Sequence, residues 1–249
     1  MWTQVALHTW NTVAAFLVAA VGSLVLGFVL AIGRLSDHVW VRAPITAIVE
    51  VLRAVPVLIF MILLYYGLPV IGISVGSYWS VVIALIAYNG SVLSEVIRAG
   101  VESLPRGQKE AGYAIGLRKA GVMRLVLLPQ AIRAMLPAII AQLVVTLKDT
   151  ALGFIITYPE LLRYARYLGS QSSLDNPWIP AMMVVGVIYI GLCLLLSLAA
   201  NIVEKRMRRS SKLTGIPVVT GPAQEVTDTE LIVAQKGTDG TTGNAQGSQ

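Results

Sequence analysis

No Lys, Arg, Asp or Glu occurs before Arg34, and this charge-free opening limits the fold more than any other feature of the chain. In a bilayer the backbone must satisfy its own hydrogen bonds, so an apolar stretch longer than about 20 residues is expected to cross as a helix. The charged leader of a secretory signal is missing, so this first run is expected to remain as a spanning helix. The rest of the chain agrees: 56% of residues are hydrophobic, 13% are charged and the mean hydropathy is +0.73, outside soluble usage. The formal charge of +6 sits beside the apolar runs, as membrane orientation requires, so nucleic acid is not an expected partner. Cys193 is the single cysteine and lies in an apolar run, which leaves no intrachain disulfide or cysteine metal site and points to a small buried hydrophobe.

Five apolar runs are long enough to span, at residues 10–32, 55–73, 79–97, 132–156 and 179–202. The expected class is an all-α, multi-pass protein of the plasma membrane. The second run contains Pro56, Gly67 and Pro69, and its lower boundary can slide back towards Pro44 as an interfacial lead-in. Basic residues cluster in three places: Arg34, Arg42 and Arg53; Arg98 to Arg133 between runs three and four; and Lys205 to Lys212. Five spans with the amino terminus outside put all three clusters and the carboxyl terminus in the cytoplasm, whereas four or six would strand one. Residues 1–209 are therefore expected to form the membrane domain. Residues 210–249, rich in Gly, Thr, Ser and Gln, read as a disordered cytoplasmic tail, solvated or serving a docking role. No internal repeat is visible.

The segment Lys109-Glu110-Ala111-Gly112-Tyr113-Ala114-Ile115-Gly116 is a basic insert between apolar runs. Ala111, Ala114 and Ile115 are expected on one helix face, with Arg106, Lys109 and Glu110 on the other. Gly116 permits a bend, and Pro129 is placed to start the next element. On these residues alone the insert is either an ordinary interfacial loop that binds anionic lipid, as in a passive channel or stand-alone membrane protein, or a handle for a soluble partner.

The spacing Glu110-Ala111-Gly112, three residues, Gly116, nine residues, Val126-Leu127-Leu128-Pro129 resembles the EAA loop of permease subunits in ATP-binding-cassette importers. Gly112 stands where that pattern has Ala, and Val126 where it has Ile. The similarity extends over residues 11–206 through Arg53-Ala54-Val55-Pro56, Tyr66-Gly67-Leu68-Pro69, the run from Asn89 to Gly100, Leu104-Pro105-Arg106-Gly107-Gln108, Leu147-Lys148-Asp149-Thr150 and Pro159-Glu160-Leu161, which are similar to the polar amino acid subfamily. The resemblance implies the type I importer permease fold, an identical or sister permease subunit, two ATPase subunits that bind ATP and magnesium, and a separate solute-binding protein. It implies a coupling helix at 106–115, with Arg106, Lys109, Glu110, Ala111, Gly112, Gly116, Leu128 and Pro129 as ATPase-coupling residues. It also suggests glutamate as substrate. The chain has no Gly-x-x-x-x-Gly-Lys-Ser/Thr phosphate loop, so no cofactor is expected here and the reading is a transport subunit rather than an enzyme.

Polar residues inside spans are the candidates for a substrate path. They are Asn89, Ser91, Glu95, Gln142, Thr146, Lys148, Asp149 and Thr150. Interhelical hydrogen bonding is the alternative for the neutral ones. Glu95 and Arg98 are spaced to pair with each other. Lys148 and Asp149 are adjacent and so point to different faces, where they seek either the ammonium and carboxylate of an amino acid or partners on other helices. His8 and His38 lie far apart in sequence, and neither a metal motif nor a hydrolase triad is present.

Overall fold

The first spanning element, α1, runs over Trp2–Arg34 and is about 50 Å long at 1.5 Å per residue. It belongs to a computed structural model that describes residues 2–172 and 175–212, with side chains through 206. The expected tail at 210–249 thus falls almost wholly outside the described residues.

Packing of α1 is set by a stripe of small residues. Ala15, Ala19, Ser23, Gly27 and Ala31 recur every fourth position, and all are buried. They face α4, Ser77–Glu102, in the most extensive helix contact of the fold. The backbones approach so closely that a Cβ on Gly27 would lie 2.8 Å from Leu93 Cβ. Without a hydrophobic driving force between helices in lipid, such proximity supplies the dispersion contact that holds them. Ser23 Oγ donates to the Leu85 carbonyl across the seam.

Between them the chain makes α2, Val39–Ala54, and α3, Val57–Ile62, which continues through π and 3-10 turns to Ile71. The two limbs bend by 94°. Pro56 causes the break, because it lacks an amide proton and drives Val55 into an extended conformation (φ −89°, ψ 125°). The second span is therefore a bent pair, and its lower limb begins at Val39, before Pro44, which is accommodated inside the helix. Among the described residues four helices are long and apolar enough to cross, or five if the bent pair is counted as one span.

After α4 come α5, Arg106–Ala114, and α6, Lys119–Gly121. From Lys119 the helix is continuous to Ile156, through a π segment at Val122–Leu127, α7 at Leu128–Asp149 and a 3-10 end. Pro129 lies in the first turn of α7, where the sequence places it, within a helical run that reaches back to Lys119. Next are α8, Leu161–Gly169, and α9, Trp178–Lys212. Among the described residues α9 is mostly exposed, as expected for a face turned to lipid or another subunit.

The two ends of α1 fix the layout. Near its start, Val5 packs with Leu161, Tyr164, Ala165 and Val185, while His8 Nδ1 and Asn11 Nδ2 donate to the Pro159 carbonyl, each at 2.8 Å. Near its finish, Leu35 packs with Val101, Leu104, Leu117, Val122 and Leu127. The helix α8 and the α5–α6 insert thus occupy opposite ends of the bundle.

Candidate functional site

The insert owes its shape to local rules. Pro105, extended at φ −55° and ψ 137°, starts α5 where a missing amide costs nothing. Gly116 ends it in the left-handed region at φ +82°. The Gly116 amide donates to Tyr113 O at 2.9 Å, and the Leu117 amide donates to Gly112 O at 3.2 Å. These two bonds form a Schellman closure, which satisfies carbonyls that a helix end otherwise leaves open.

The packed side of α5 differs from the sequence expectation. Ala111, Ala114 and Ile115 do share a face, but that face is exposed, with Ile115 at 76%. Gly112 is the buried residue. It lies against Val122, and Gln130 Nε2 donates to Gln108 Oε1 at 3.2 Å. The reason is that short-range periodicity groups residues by polarity, whereas the packing partner here is a bulky Val that only a glycine can approach. Arg106, Lys109, Glu110 and Pro129 are also exposed, and Leu128 is half-buried. The insert therefore presents Arg106, Lys109, Glu110, Ala111, Ala114 and Ile115 outward on a short rigid helix held from behind.

One contact absent from the sequence reading ties the insert down. Lys119 pairs with Asp37 in the α1–α2 turn, and its ammonium holds the Asp37 carboxyl below the usual range. A cavity of about 250 Å³ lies between that turn and the insert, lined by Leu35, Asp37, Arg106, Lys109, Tyr113 and Lys119 among others.

Above the insert, Glu95 is the hub of a charge cluster. Its carboxylate takes Arg34 Nη1 and Arg98 Nη2, each at 2.5 Å, and Arg53 lies 3.6 Å away. Arg98 also reaches Glu102 at 2.5 Å. The expected Glu95–Arg98 pair is present, but the three-helix cluster around it joins α1, α2 and α4, which no local spacing discloses.

The remaining polar span residues fall into two groups. Asn89, Ser91, Thr146 and Thr150 are fully buried and bond chiefly to their own helices: Asn89 to Leu85 O, Ser91 to Tyr88 O, Thr146 to Gln142 O and Thr150 to Leu147 O. One interhelical bond joins them, from Gln142 Nε2 to Asn89 Oδ1 at 2.7 Å. Lys148 is exposed and Asp149 is half-buried, so the adjacent pair does point to different faces.

A helical bundle with several apolar spans and a structured insert at one end defines this chain as a multi-pass membrane protein in architecture. The family model described as "Binding-protein-dependent transport system inner membrane component" matches residues 9–209. A glutamate transport system permease protein of Corynebacterium glutamicum is 40% identical over 83% of this chain and 76% of its own length. An arginine transport system permease protein of Bacillus subtilis is 30% identical over 79% of this chain and 89% of its own. Among solved structures, an amino acid ABC transporter superposes with a TM-score of 0.75 at 26% identity, covering 82% of this chain and 94% of that one. The MetNI methionine ABC transporter shares the fold, with a TM-score of 0.69 at 20% identity over 83% and 97%. The chain belongs to the family of binding-protein-dependent transport system inner membrane components, and is accordingly a multi-pass protein of the plasma membrane.

Proposed function

We propose that this chain is the permease subunit of an ATP-binding-cassette importer that carries a polar amino acid, with glutamate the first candidate, across the plasma membrane. The observation that carries the reading is α5: a nine-residue helix stopped by a left-handed glycine, braced by Val122 and Gln130, and free on its outer face. Such a helix transmits a push as a rigid-body shift, because packed elements move between discrete arrangements. The 40%-identical glutamate permease supports the substrate, and the arginine relative supports the wider class.

In this reading ATP and magnesium belong to two ATPase subunits, whose grooves receive Arg106, Lys109, Glu110 and Ala111, while Gly112 seats the helix on Val122, Gly116 closes it, and Leu128 and Pro129 anchor the loop. An identical or sister permease subunit covers the exposed helices, the bilayer surrounds them, and a solute-binding protein delivers the amino acid from outside. The amino terminus is external, residues 1–209 form the permease domain with a coupling loop at 104–129, and residues 210–249 form a cytoplasmic tail. Asn89, Ser91, Glu95, Gln142, Thr146, Lys148, Asp149 and Thr150 are assigned to the substrate path. Lys148 and Asp149 are its leading pair, since each charge in a span seeks an opposite one.

The test is uptake by the complete transporter in proteoliposomes. Glu110→Ala is expected to abolish ATP-driven uptake while the subunit still inserts and assembles, and full uptake by that variant overturns the coupling assignment. Absence of a stoichiometric ATPase partner and of ATP-dependent uptake assigns the insert to lipid binding. For the path, Asp149→Asn is expected to raise the transport KM with the melting temperature held. An unchanged KM with a lowered melting temperature makes Asp149 a packing residue.

A further inference from the structure

The α1–α2 turn is a fixed point beside the insert. Its own backbone closes it, with the Leu35 amide donating to Ala31 O at 3.0 Å and the Ser36 amide to Gly33 O at 3.3 Å. Arg34, buried at its start, is bound to Glu95 of α4, and Leu35 packs with Val101, Val122 and Leu127. From this anchored turn Asp37 reaches Lys119, the residue at which α6 and the long helix begin. Both side chains line the cavity of about 250 Å³ between the turn and the insert, so the pair is a strut across a gap.

Among the described residues this is the ion pair that links the insert to another element. The holds on α5 from behind, the Gly112–Val122 contact and the Gln108–Gln130 bond, both lead into the helix from Lys119 to Ile156. Apolar packing around Leu35 has no direction of its own, whereas the ion pair fixes one point on the turn to one point on the insert. Both partners are exposed, and Asp37 also lies within the fields of Lys109 and His38. An exposed pair contributes little to stability, so what this one sets is the position of the insert. The turn in its turn leads to two spans: it ends α1, and Arg34 ties it to α4 through Glu95.

We propose that Asp37 is a positioning residue for transport: by holding Lys119 it ties the α5–α6 insert to the α1–α2 turn, so that a push on α5 moves α1 and α4 together with the helix that begins at Lys119. This rests on the importer reading, in which the push comes from the ATPase. Without the strut the insert still moves the long helix through Val122, but α1 and α4 no longer follow it in step. Hydrolysis then continues while fewer cycles move an amino acid. Such coupling through a chain of contacts is established by its energetic interaction and not by the position of its members.

The experiment uses the complete transporter in proteoliposomes with its solute-binding protein, and reads the ATP hydrolysed per amino acid taken up. Asp37→Asn is expected to raise that ratio by about twofold or more, through a lower kcat of uptake at unchanged KM, while the melting temperature holds. Asp37→Glu keeps the charge and is expected to keep most of the coupling. Asp37→Lys alone is expected to be the most damaging change, since Lys109 and Lys119 both stand near it, and Asp37→Lys with Lys119→Asp is expected to recover part of the loss. A ratio for Asp37→Asn less than about twofold above the wild type overturns the proposal. So does a double reversal as poor as Asp37→Lys alone, which shows that the two residues do not act together, or a loss of uptake that follows a lowered melting temperature at constant ratio, which makes the pair a packing contact. If the unmodified transporter shows no uptake dependent on ATP and binding protein, the importer reading itself fails; if it does and Asp37→Asn is equally well coupled, only the strut fails.

Discussion

Gly112 lies so close to Val122 that a Cβ added to it would sit 2.9 Å from Val122 Cγ2. This contact joins the short outward helix α5 to the start of the long helix that runs from Lys119 to Ile156. Gly112→Ala gains up to about 1 kcal/mol of helix propensity but overpacks the contact, which costs about 1–3 kcal/mol. The expected net result is a lower melting temperature and weaker coupling of ATP hydrolysis to uptake. Val122→Ala makes room, so the double variant is expected to recover both, and a double-mutant cycle on the melting temperatures measures the interaction.

Gly116 presents the opposite situation, because nothing lies within 4 Å of an added Cβ. The whole cost of Gly116→Ala is then conformational, about 1–2 kcal/mol for a left-handed L-residue. Gly116→Asn is expected to cost less, since Asn tolerates that region. If uptake follows the order Gly, Asn, Ala, Val, the bend itself is what coupling requires; equal uptake by all four removes the bend from the mechanism.

The hub at Glu95 predicts an order of sensitivities. Glu95→Gln leaves Arg34, whose side chain is 7% exposed, without its counter-charge. Breaking a fully buried pair costs about 3–5 kcal/mol, and partial exposure of Glu95 brings the expectation to about 2–3 kcal/mol. Arg34→Ala costs less, because Arg98 still neutralises Glu95. Arg53→Ala costs least, about 0.5 kcal/mol, since its contact is 3.6 Å long and exposed. Thermal unfolding in detergent or nanodiscs ranks the three.

Glu160 gives the bundle a pH dependence. Burial pushes its carboxyl up to about 7, against the downward pull of the Leu162 and Arg163 amides and the Tyr189 hydroxyl. An acid whose folded value exceeds its unfolded one, here 4.5, favours the folded state most when protonated. Stability from this group is therefore full below about 4.5 and declines as pH rises through about 7. Melting temperatures measured across that window are expected to fall for the wild type. They are expected to stay flatter for Glu160→Gln, which starts lower because its amide nitrogen cannot accept from a backbone N–H.

Much of the fold is legible in the residues themselves. The charge-free run before Arg34, the spacing of apolar segments and the basic clusters predict an all-α bundle of about five spans, because hydrocarbon leaves a backbone few alternatives. Pro56 and Gly116 mark the 94° break and the end of α5, since both act through their own dihedrals. The stripe of Ala15, Ala19, Ser23, Gly27 and Ala31 gained its meaning only from the fold, where it packs against α4.

What periodicity could not supply was contact across long sequence separations. It placed Ala111, Ala114 and Ile115 together but gave no sign that Val122 would take Gly112 and leave the other three outside. It gave no sign that the fold would turn Glu160 inward to cap α8. It paired Glu95 with Arg98 and could not see Arg34 or Arg53 arriving from other helices. The sequence by itself determined the membrane class, a bundle of four to five spans and the breaks at Pro56 and Gly116, because these follow from hydration and local dihedral preferences. Only the tertiary structure decided which polar groups find partners and which faces remain free, because desolvation is settled by neighbours that the chain brings together only on folding.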